Sequence, residues 1–457
     1  MKNNKTSMNV QPATKRIKNF SEAVLSFNKK QAMLQAQRCP QCSQPECVKA
    51  CPLGVDIPGF IRLIREGDLA KALQKLREDN SLTGICGRLC EAPCEKACIF
   101  SKDGGQPIAI KSLERAAFDL GNVRLQEIFN AQASNKSAKK VAVIGSGPAG
   151  LMAAANLIED GHSVTVFDAL DKNGGMLRYA ACDFHLPRKV LDAEIDYVRS
   201  LGTAYVHNTL IGQEQMITEF LLNDFQAVLI ATGLGFETGA QAADRSIKGV
   251  ITGQELLFRV NFLSSYEPAK AVLPFLGQKV IVMGNSLDAM ECGRLLLRLG
   301  KKVTFVHEGS DDELPFPEEE KILAQEEGLT WEGFAKVVDI TQDKTGAVAG
   351  VRCARLDFAD QDGDWILMPV KDSDFIIDAD TVVICGLYEA NTSFTRLGGG
   401  LKVNKQGCLA VKRDQCATNL KGVFAAGGVT QGVMPLVQAL AQGKKAAREI
   451  DEYLQKA

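Results

Sequence analysis

Apolar residues recur at helical spacing through the first eighty positions. Ser21–Gln37 predicts a helix, with Ser21 as its cap and Ala23, Val24, Phe27, Ala32 and Leu34 as its apolar positions. Ile57–Asn80 predicts more helix, because Phe60, Ile61, Ile64, Leu69, Leu73 and Leu76 repeat with a period of about 3.6 residues. Residues 1–20 are rich in Lys and Asn and predict an arm that lies on another part of the molecule. After a small, polar and charged stretch at Asn130–Lys140, which reads as a linker, the pattern changes. Lys140–Ile144 is a short apolar run followed by a glycine turn, a helix over Leu151–Asp160 and a second strand at Val164–Asp168. Gln278–Met283 begins a similar unit, with a helix through Leu299 and a strand at Lys302–Val306. Gly422–Ala426 predicts a late strand, and Leu436–Tyr453 a closing helix. Two strand–helix–strand starts so far apart predict two nucleotide-binding domains of the doubly wound kind.

Composition narrows the class. A length of 457 residues predicts about three domains. With 46% apolar and 24% charged residues, general disorder is excluded. A net charge of -2 offers no electrostatic case for a nucleic-acid binder. No apolar run reaches the roughly 18 residues of a membrane span, and Met1–Phe20 has no apolar signal core, so a cytoplasmic protein is expected. The expected architecture is α/β: two Rossmann-like nucleotide-binding domains preceded by an α-helical metal-bearing domain. The expected limits are 1–135 for the helical domain, 140–270 plus 410–457 for the first Rossmann-like domain, and 271–409 for the second.

Cysteine carries the first chemical signal. Eight of the 14 fall in two groups, Cys39-x2-Cys42-x4-Cys47-x3-Cys51-Pro52 and Cys86-x3-Cys90-x3-Cys94-x3-Cys98. Thiolates bind soft metals, four to each iron–sulfur cluster, and two interlocked groups predict two [4Fe–4S] clusters. The alternatives are two four-thiolate zinc sites or buried structural thiols. Cys182, Cys292, Cys353, Cys385, Cys408 and Cys416 are scattered and read as small buried residues.

The glycine loops carry the second. Gly145-Ser146-Gly147-Pro148-Ala149-Gly150 stands between strand and helix, where a dinucleotide pyrophosphate approaches the backbone, and Asp168 ends the next strand, where an acid meets the ribose. The second loop, Gly284-Asn285-Ser286-Leu287-Asp288-Ala289, has Ser286 in place of the second glycine. Glu308 follows its second strand, with Asp311, Asp312 and Glu313 nearby. Acids there suit a 2′-hydroxyl and repel a 2′-phosphate. A Rossmann-like domain that no longer binds cofactor is the alternative.

Together these features resemble the small-subunit type of bacterial glutamate synthase, a family related to the N-terminal half of dihydropyrimidine dehydrogenase and to the large subunit of NADH-dependent ferredoxin:NADP oxidoreductase. The resemblance runs from about Phe20 to the C-terminus. It includes Arg38-Cys39-x-x-Cys42, Cys51-Pro52-Leu53-Gly54, Gly87-Arg88-x-Cys90, Ile110-Lys111-Ser112-Leu113-Glu114 and Gly174-Gly175-Met176-Leu177-Arg178-Tyr179. It implies FAD in the first Rossmann domain, NAD(P)H in the second and two [4Fe–4S] clusters. It assigns Cys39, Cys42, Cys47 and Cys98 to one cluster, and Cys51, Cys90, Cys94 and Glu114 to the other. Spacing alone would choose Cys86 over Glu114. It places Gly175, Met176, His185, Gly427 and Gly428 beside the FAD and Gly386 beside the nicotinamide nucleotide.

The sequence departs from the family where Glu308 and Gly309 replace a basic pair, where Ser286 replaces a glycine, and where His185 replaces an arginine. Ala181-Cys182 and Gly427-Gly428 replace Ile-Pro and Gly-Asp. These changes favour NADH over NADPH. The expected function is an electron-input subunit that takes hydride from NAD(P)H, NADH foremost, onto FAD and passes single electrons through the clusters to a partner oxidoreductase subunit. The alternatives are a non-catalytic relay with a degenerate nucleotide site, and an electron-bifurcating subunit. No Ser/His/Asp or Cys/His constellation is present.

Overall fold

The computed structural model describes residues 5–121, 139–212, 217, 224–235, 246–263, 273, 276–314, 316–361, 364–386, 388–392, 395 and 400–456. Of the linker expected at 130–140, all but the last two residues lie outside these ranges.

The helical part comes first. Its first long helix is Lys29–Gln37, shorter than the one expected from Ser21. Val24–Leu25 instead pairs antiparallel with Asn9–Val10. Asn28 starts the helix through a capping box: its side chain accepts from Gln31 N, and Gln31 returns the bond to the Asn28 N–H. The helix expected over Ile57–Asn80 is two, Ile57–Arg65 and Leu69–Arg77. Gly67 takes a left-handed φ of 84° between them, and Asp68 caps the second by accepting from Lys71 N. Each buries one stripe: Ile57, Phe60, Ile61 and Ile64 on the first, Leu69, Ala72, Leu73 and Leu76 on the second. Two further helices, Thr83–Leu89 and Ile110–Leu120, touch backbone to backbone. A Cβ on Gly87 would stand 2.7 Å from Arg115 Cα.

Two parallel five-stranded sheets follow. The first has the order 423–425, 227–230, 140–144, 163–167, 204–206, and the second 330–332, 302–306, 279–283, 381–384, 250–252. In each, the first strand in the chain direction of the glycine loop is central, so that loop emerges where strand order reverses. This is the α/β fold expected. The boundary expected between 270 and 271 is corrected, because Val250–Thr252 pairs with Thr381–Ile384 and belongs to the second sheet. Its apolar residues are buried on that sheet's edge, which periodicity alone does not show. An antiparallel four-stranded sheet, 335–342, 348–361, 364–369 and 375–378, branches from the second unit. The closing helix Leu436–Gln455 returns to the first unit, with Gly443 against the Ala149 backbone.

The N-terminal arm lies across the second unit, as its polarity predicted. Arg16 is buried and donates to Glu326, Glu327 and the Leu323 carbonyl. Among the described residues no helix is long and apolar enough to cross a membrane.

Gly87→Ala is expected to destabilise the helical part by about 1–3 kcal/mol, because its methyl meets backbone that cannot swing aside. A lower thermal midpoint for loss of helical circular dichroism checks this. An unchanged midpoint contradicts the close contact.

Candidate cofactor and electron-transfer site

The eight clustered thiols are all free, and the fold sorts them by space and not by sequence group. Cys39 feels the charges of Cys42 and Cys98, and Cys47 those of Cys98 and Cys39. Cys51 and Cys94 both face Cys90 and Glu114. Cys39, Cys42, Cys47 and Cys98 are therefore neighbours, and Cys51, Cys86, Cys90 and Cys94 gather around Glu114, each group drawing on both ends of the domain. Among the described residues no three His, Cys, Asp or Glu converge on a point that a single metal ion could occupy. A four-iron cluster asks for a wider spread, since each iron takes one ligand, and four donors around an apolar interior fit it.

Burial governs the protonation of these groups. It pushes the Cys47 thiol up to about 11, with Cys98 and Cys39 adding to the effect. It drives Cys94 and the Glu114 carboxyl well above their ordinary ranges. Such donors ionise only when a positive centre arrives. Cys86 is different. Its thiol hydrogen-bonds Cys90, and that bond holds Cys90 below the ordinary thiol value while raising Cys86. Asn80 Nδ2 donates to Glu114 Oε1 at 2.9 Å and so aims the carboxylate.

The first glycine loop is built as its motif requires. Gly145 has a φ of 103°, and a Cβ there would meet the Ala231 carbonyl oxygen at 2.4 Å. A Cβ on Gly150 would strike the Gly145 carbonyl oxygen at 2.0 Å, whereas one on Gly147 would meet nothing within 4 Å. Gly147 thus leaves open the side from which a pyrophosphate approaches. Helix Pro148–Glu159 begins there with no side-chain cap, so its first N–H groups are left for a ligand. Asp168 takes a role the motif does not reveal. Its Oδ2 accepts from Ser146 N and Oγ and its Oδ1 from Leu170 N, so it braces the loop. Gly175 stands against Gly147, with Met176 opening the short helix beyond it. Gly427 turns at a φ of 82° beside Ala149, and Gly428 packs on Leu234. These residues fit FAD.

The second loop lines a cleft of about 430 Å³ together with Glu308, Glu313, His307 and Cys385; among the described residues no Lys or Arg lines it. Gly284 and Asn285 are in its wall, and Gly386 abuts Ser286, whose Oγ is buried without a partner. Leu287 is half exposed at the start of helix Leu287–Arg298. Asp288, missed by sequence reading, is buried in that helix's first turn and accepts from the Tyr388 hydroxyl. Its Oδ2 has no hydrogen-bond partner. The cleft fits a nucleotide in size and in unpaired polar atoms, but its charge opposes a phosphate.

His185, expected beside the FAD, has two carboxylate partners that the sequence did not suggest. Both ring nitrogens are occupied, Nδ1 by Glu291 at 2.5 Å and Nε2 by Glu320 at 2.8 Å. Both acids belong to the second unit, so His185 ties the two units together. Arg294 donates to Glu320 and Glu327, and Arg298 to Glu327. Burial pushes the imidazole pKa down, but Glu291 and Glu320 overcome it and lift the value to about 9. Burial likewise disfavours the Glu327 carboxylate, yet the two arginines hold it down at about 2. The only signal for this network in the sequence was the replacement of the family arginine.

Comparison with known proteins agrees with these parts. Residues 16–124 match the family model of dihydropyrimidine dehydrogenase domain II with its 4Fe-4S cluster, and residues 139–443 match that of pyridine nucleotide-disulphide oxidoreductase. The chain is 31% identical to the glutamate synthase [NADPH] small chain of Azospirillum brasilense, over 97% of this chain and 93% of that one. It is 33% identical to the NADP(+)-dependent formate dehydrogenase subunit beta of Moorella thermoacetica, over 89% of this chain and only 60% of that subunit. Among solved structures, FprA of Mycobacterium tuberculosis shares the fold with a TM-score of 0.58, at 14% identity over 70% of this chain and 85% of that one.

The His185 network makes stability fall at alkaline pH. The folded pKa of about 9 exceeds the ordinary value of 6.5, so the stabilisation is complete below 6.5 and is lost as pH rises through 9. It amounts to about 3 kcal/mol at most. Denaturant unfolding at pH 6 and pH 9.5 is expected to show the loss in the wild type and a smaller one in His185→Gln. Equal losses in both proteins would contradict it.

Proposed function

We propose a function for a chain that belongs to the glutamate synthase small-chain family of NAD(P)H-dependent, FAD- and iron–sulfur-containing oxidoreductases: it is the electron-input subunit of a larger enzyme, accepting hydride from NADH and delivering single electrons to a partner subunit. The observation that carries this reading is that cysteines from both ends of the helical domain gather in two neighbourhoods, one of them around Glu114, in a chain that also has an intact dinucleotide loop. FAD, when bound, exchanges hydride with nicotinamide and single electrons with clusters. The chain's own residues do the rest. Gly145, Gly147 and the uncapped N-terminus of Pro148–Glu159 receive the FAD pyrophosphate, and Ser146 and Asp168 keep that loop in shape. Cys39, Cys42, Cys47 and Cys98 hold one [4Fe–4S] cluster; Cys51, Cys90, Cys94 and Glu114 hold the other. Cys86 adjoins Cys90 and Glu114 and is assigned here as a neighbour of the ligands.

The relatives named above carry NADPH or NADP(+) in their names. This chain's cleft supports NADH, because Glu308 and Glu313 line it with no basic residue among the described ones. A 2′-phosphate there meets like charge and finds no charge-assisted partner, each such bond being worth about 1.5–3 kcal/mol. Ser286 and Asp288 favour a second reading, in which the cleft has lost its nucleotide and the chain relays electrons only. A cytoplasmic hetero-oligomer is the setting that fits either reading.

Iron and acid-labile sulfide are expected at about eight atoms each per chain. Zinc without sulfide would end the cluster assignment. Glu114→Ala is expected to remove or alter the paramagnetic signal of one cluster while Cys86→Ala spares both, and the reverse would make Cys86 the ligand.

Stopped-flow flavin reduction is expected to be at least about tenfold faster with NADH than with NADPH, and Glu308→Arg to narrow or invert the ratio. Equal rates in the wild type would defeat the charge argument. Reduction by neither nucleotide would favour the relay.

A further inference from the structure

Two of the cysteines outside the helical domain meet at the second cleft. Cys385 directly follows the strand Thr381–Ile384 and lines the cleft. Cys292 stands in the second turn of helix Leu287–Arg298, behind the glycine loop, and is fully buried. The two thiols hydrogen-bond each other. Cys292 Sγ also lies 3.6 Å from the Gly253 carbonyl oxygen. Gly253 opens the neighbouring helix Gly253–Phe258, and its missing side chain makes room for the pair. A Cβ there would overlap the Cys385 sulfur and stand 3.2 Å from both Cys292 Sγ and Asp288 Oδ2.

The pair is asymmetric. Cys385 has a face on the cleft, and Cys292 has none. Burial, then the bond to Cys385, raises the Cys292 thiol well above its ordinary value, so it stays protonated until a partner reacts. Thiol–disulfide exchange needs an accessible sulfur to begin it and a second thiol in reach to finish it. Cys182 is also near, but its thiol hydrogen-bonds Glu291.

We propose that Cys385 and Cys292 form a thiol–disulfide exchange site whose oxidation by a small disulfide, such as oxidised glutathione, closes the second cleft. The closing rests on the nucleotide reading above; the exchange chemistry does not. The Cys385 sulfur attacks the small disulfide, forming a mixed disulfide and releasing one small thiol. Cys292 then attacks the Cys385 sulfur, forming the internal disulfide and releasing the second. Both cysteines are oxidised, the small disulfide takes up the two electrons, and the two cysteine protons end on the two released thiols. Asp288 Oδ2, beside Cys292 and without a hydrogen-bond partner, is placed to carry the Cys292 proton on its way out. Bonded sulfurs stand about 2 Å apart, closer than any thiol hydrogen bond, so the reaction draws Cys385 towards the helix. Its carbonyl oxygen already stands 2.6 Å from where a Gly284 Cβ would be, and Gly386 abuts Ser286, so the glycine loop moves with it.

The test uses the full holoprotein under anaerobic conditions. It is incubated with oxidised glutathione, alkylated in denaturant and digested without reduction, and the peptides are identified by mass spectrometry. The expected product is a cross-link between Cys292 and Cys385 that dithiothreitol removes. Cys292→Ala is expected to stop at a glutathione adduct on Cys385. Flavin reduction by nicotinamide nucleotide is expected to be at least about tenfold slower in the oxidised wild type and to recover with dithiothreitol. The wild-type peptide map stands alone should the variant fail to fold. Both cysteines alkylated after glutathione treatment, or Cys292 joined to Cys182, overturns the exchange site. A cross-linked chain whose flavin is reduced at the unoxidised rate overturns the closing of the cleft. Flavin reduction by neither nucleotide before oxidation overturns the nucleotide reading and the closing with it, while the peptide map still decides the exchange site.

Discussion

Glu327 carries the geometry on which the other parts rely. It is buried, and its two oxygens accept from Arg16, Arg294 and Arg298. Arg16 comes from the N-terminal arm and the other two from the helix behind the second glycine loop. Arg294 continues to Glu320, Glu320 to His185, and His185 to Glu291, so one chain of charge joins the arm and both Rossmann units. Each charge taken from water here is costly alone and tolerable only with its partners in place. Such a network restricts relative movement of the units that share it. It therefore helps set how the second cleft faces the first loop.

The helical part solves a different problem. It must bring buried, ionisable donors together without a positive centre to satisfy them during folding. Burial and mutual repulsion hold most of these thiols and Glu114 protonated, which removes the charge until cluster assembly supplies the counter-charge. The short helices and the Gly87 contact provide the close approach, and Asn80 and Cys86 orient the donors they touch. Each donor set combines residues far apart in sequence, so neither forms until the helices have packed.

The two nucleotide loops show how small changes alter the same scaffold. Their sheets have matching order and their helices start alike. In the first, Gly147 leaves room and Asp168 braces the turn from behind. In the second, Ser286 adds a hydroxyl, Asp288 occupies the helix's positive end, and Glu308 lines the cleft. An acid in the first turn steadies the helix and lessens its pull on a phosphate. The two effects have one cause.

Local rules made much of this readable in one dimension. Cysteine spacing, the glycine turn after an apolar strand and the acid at the next strand's end are short-range constraints, and they pointed to the fold class, the clustered cysteines and the first loop. Residue order by itself determined which chemistry the chain carries. It failed where a distant partner overrides a local preference. Asn28 starts a helix that Ser21 was expected to cap, because Val24 and Leu25 find a strand partner near the N-terminus. Val250–Thr252 joins the second sheet because that edge buries it. Only the tertiary structure decided that His185 faces two acids of the other unit. Those outcomes depend on long-range packing and on the cost of an unpaired buried charge, neither of which a local spacing records.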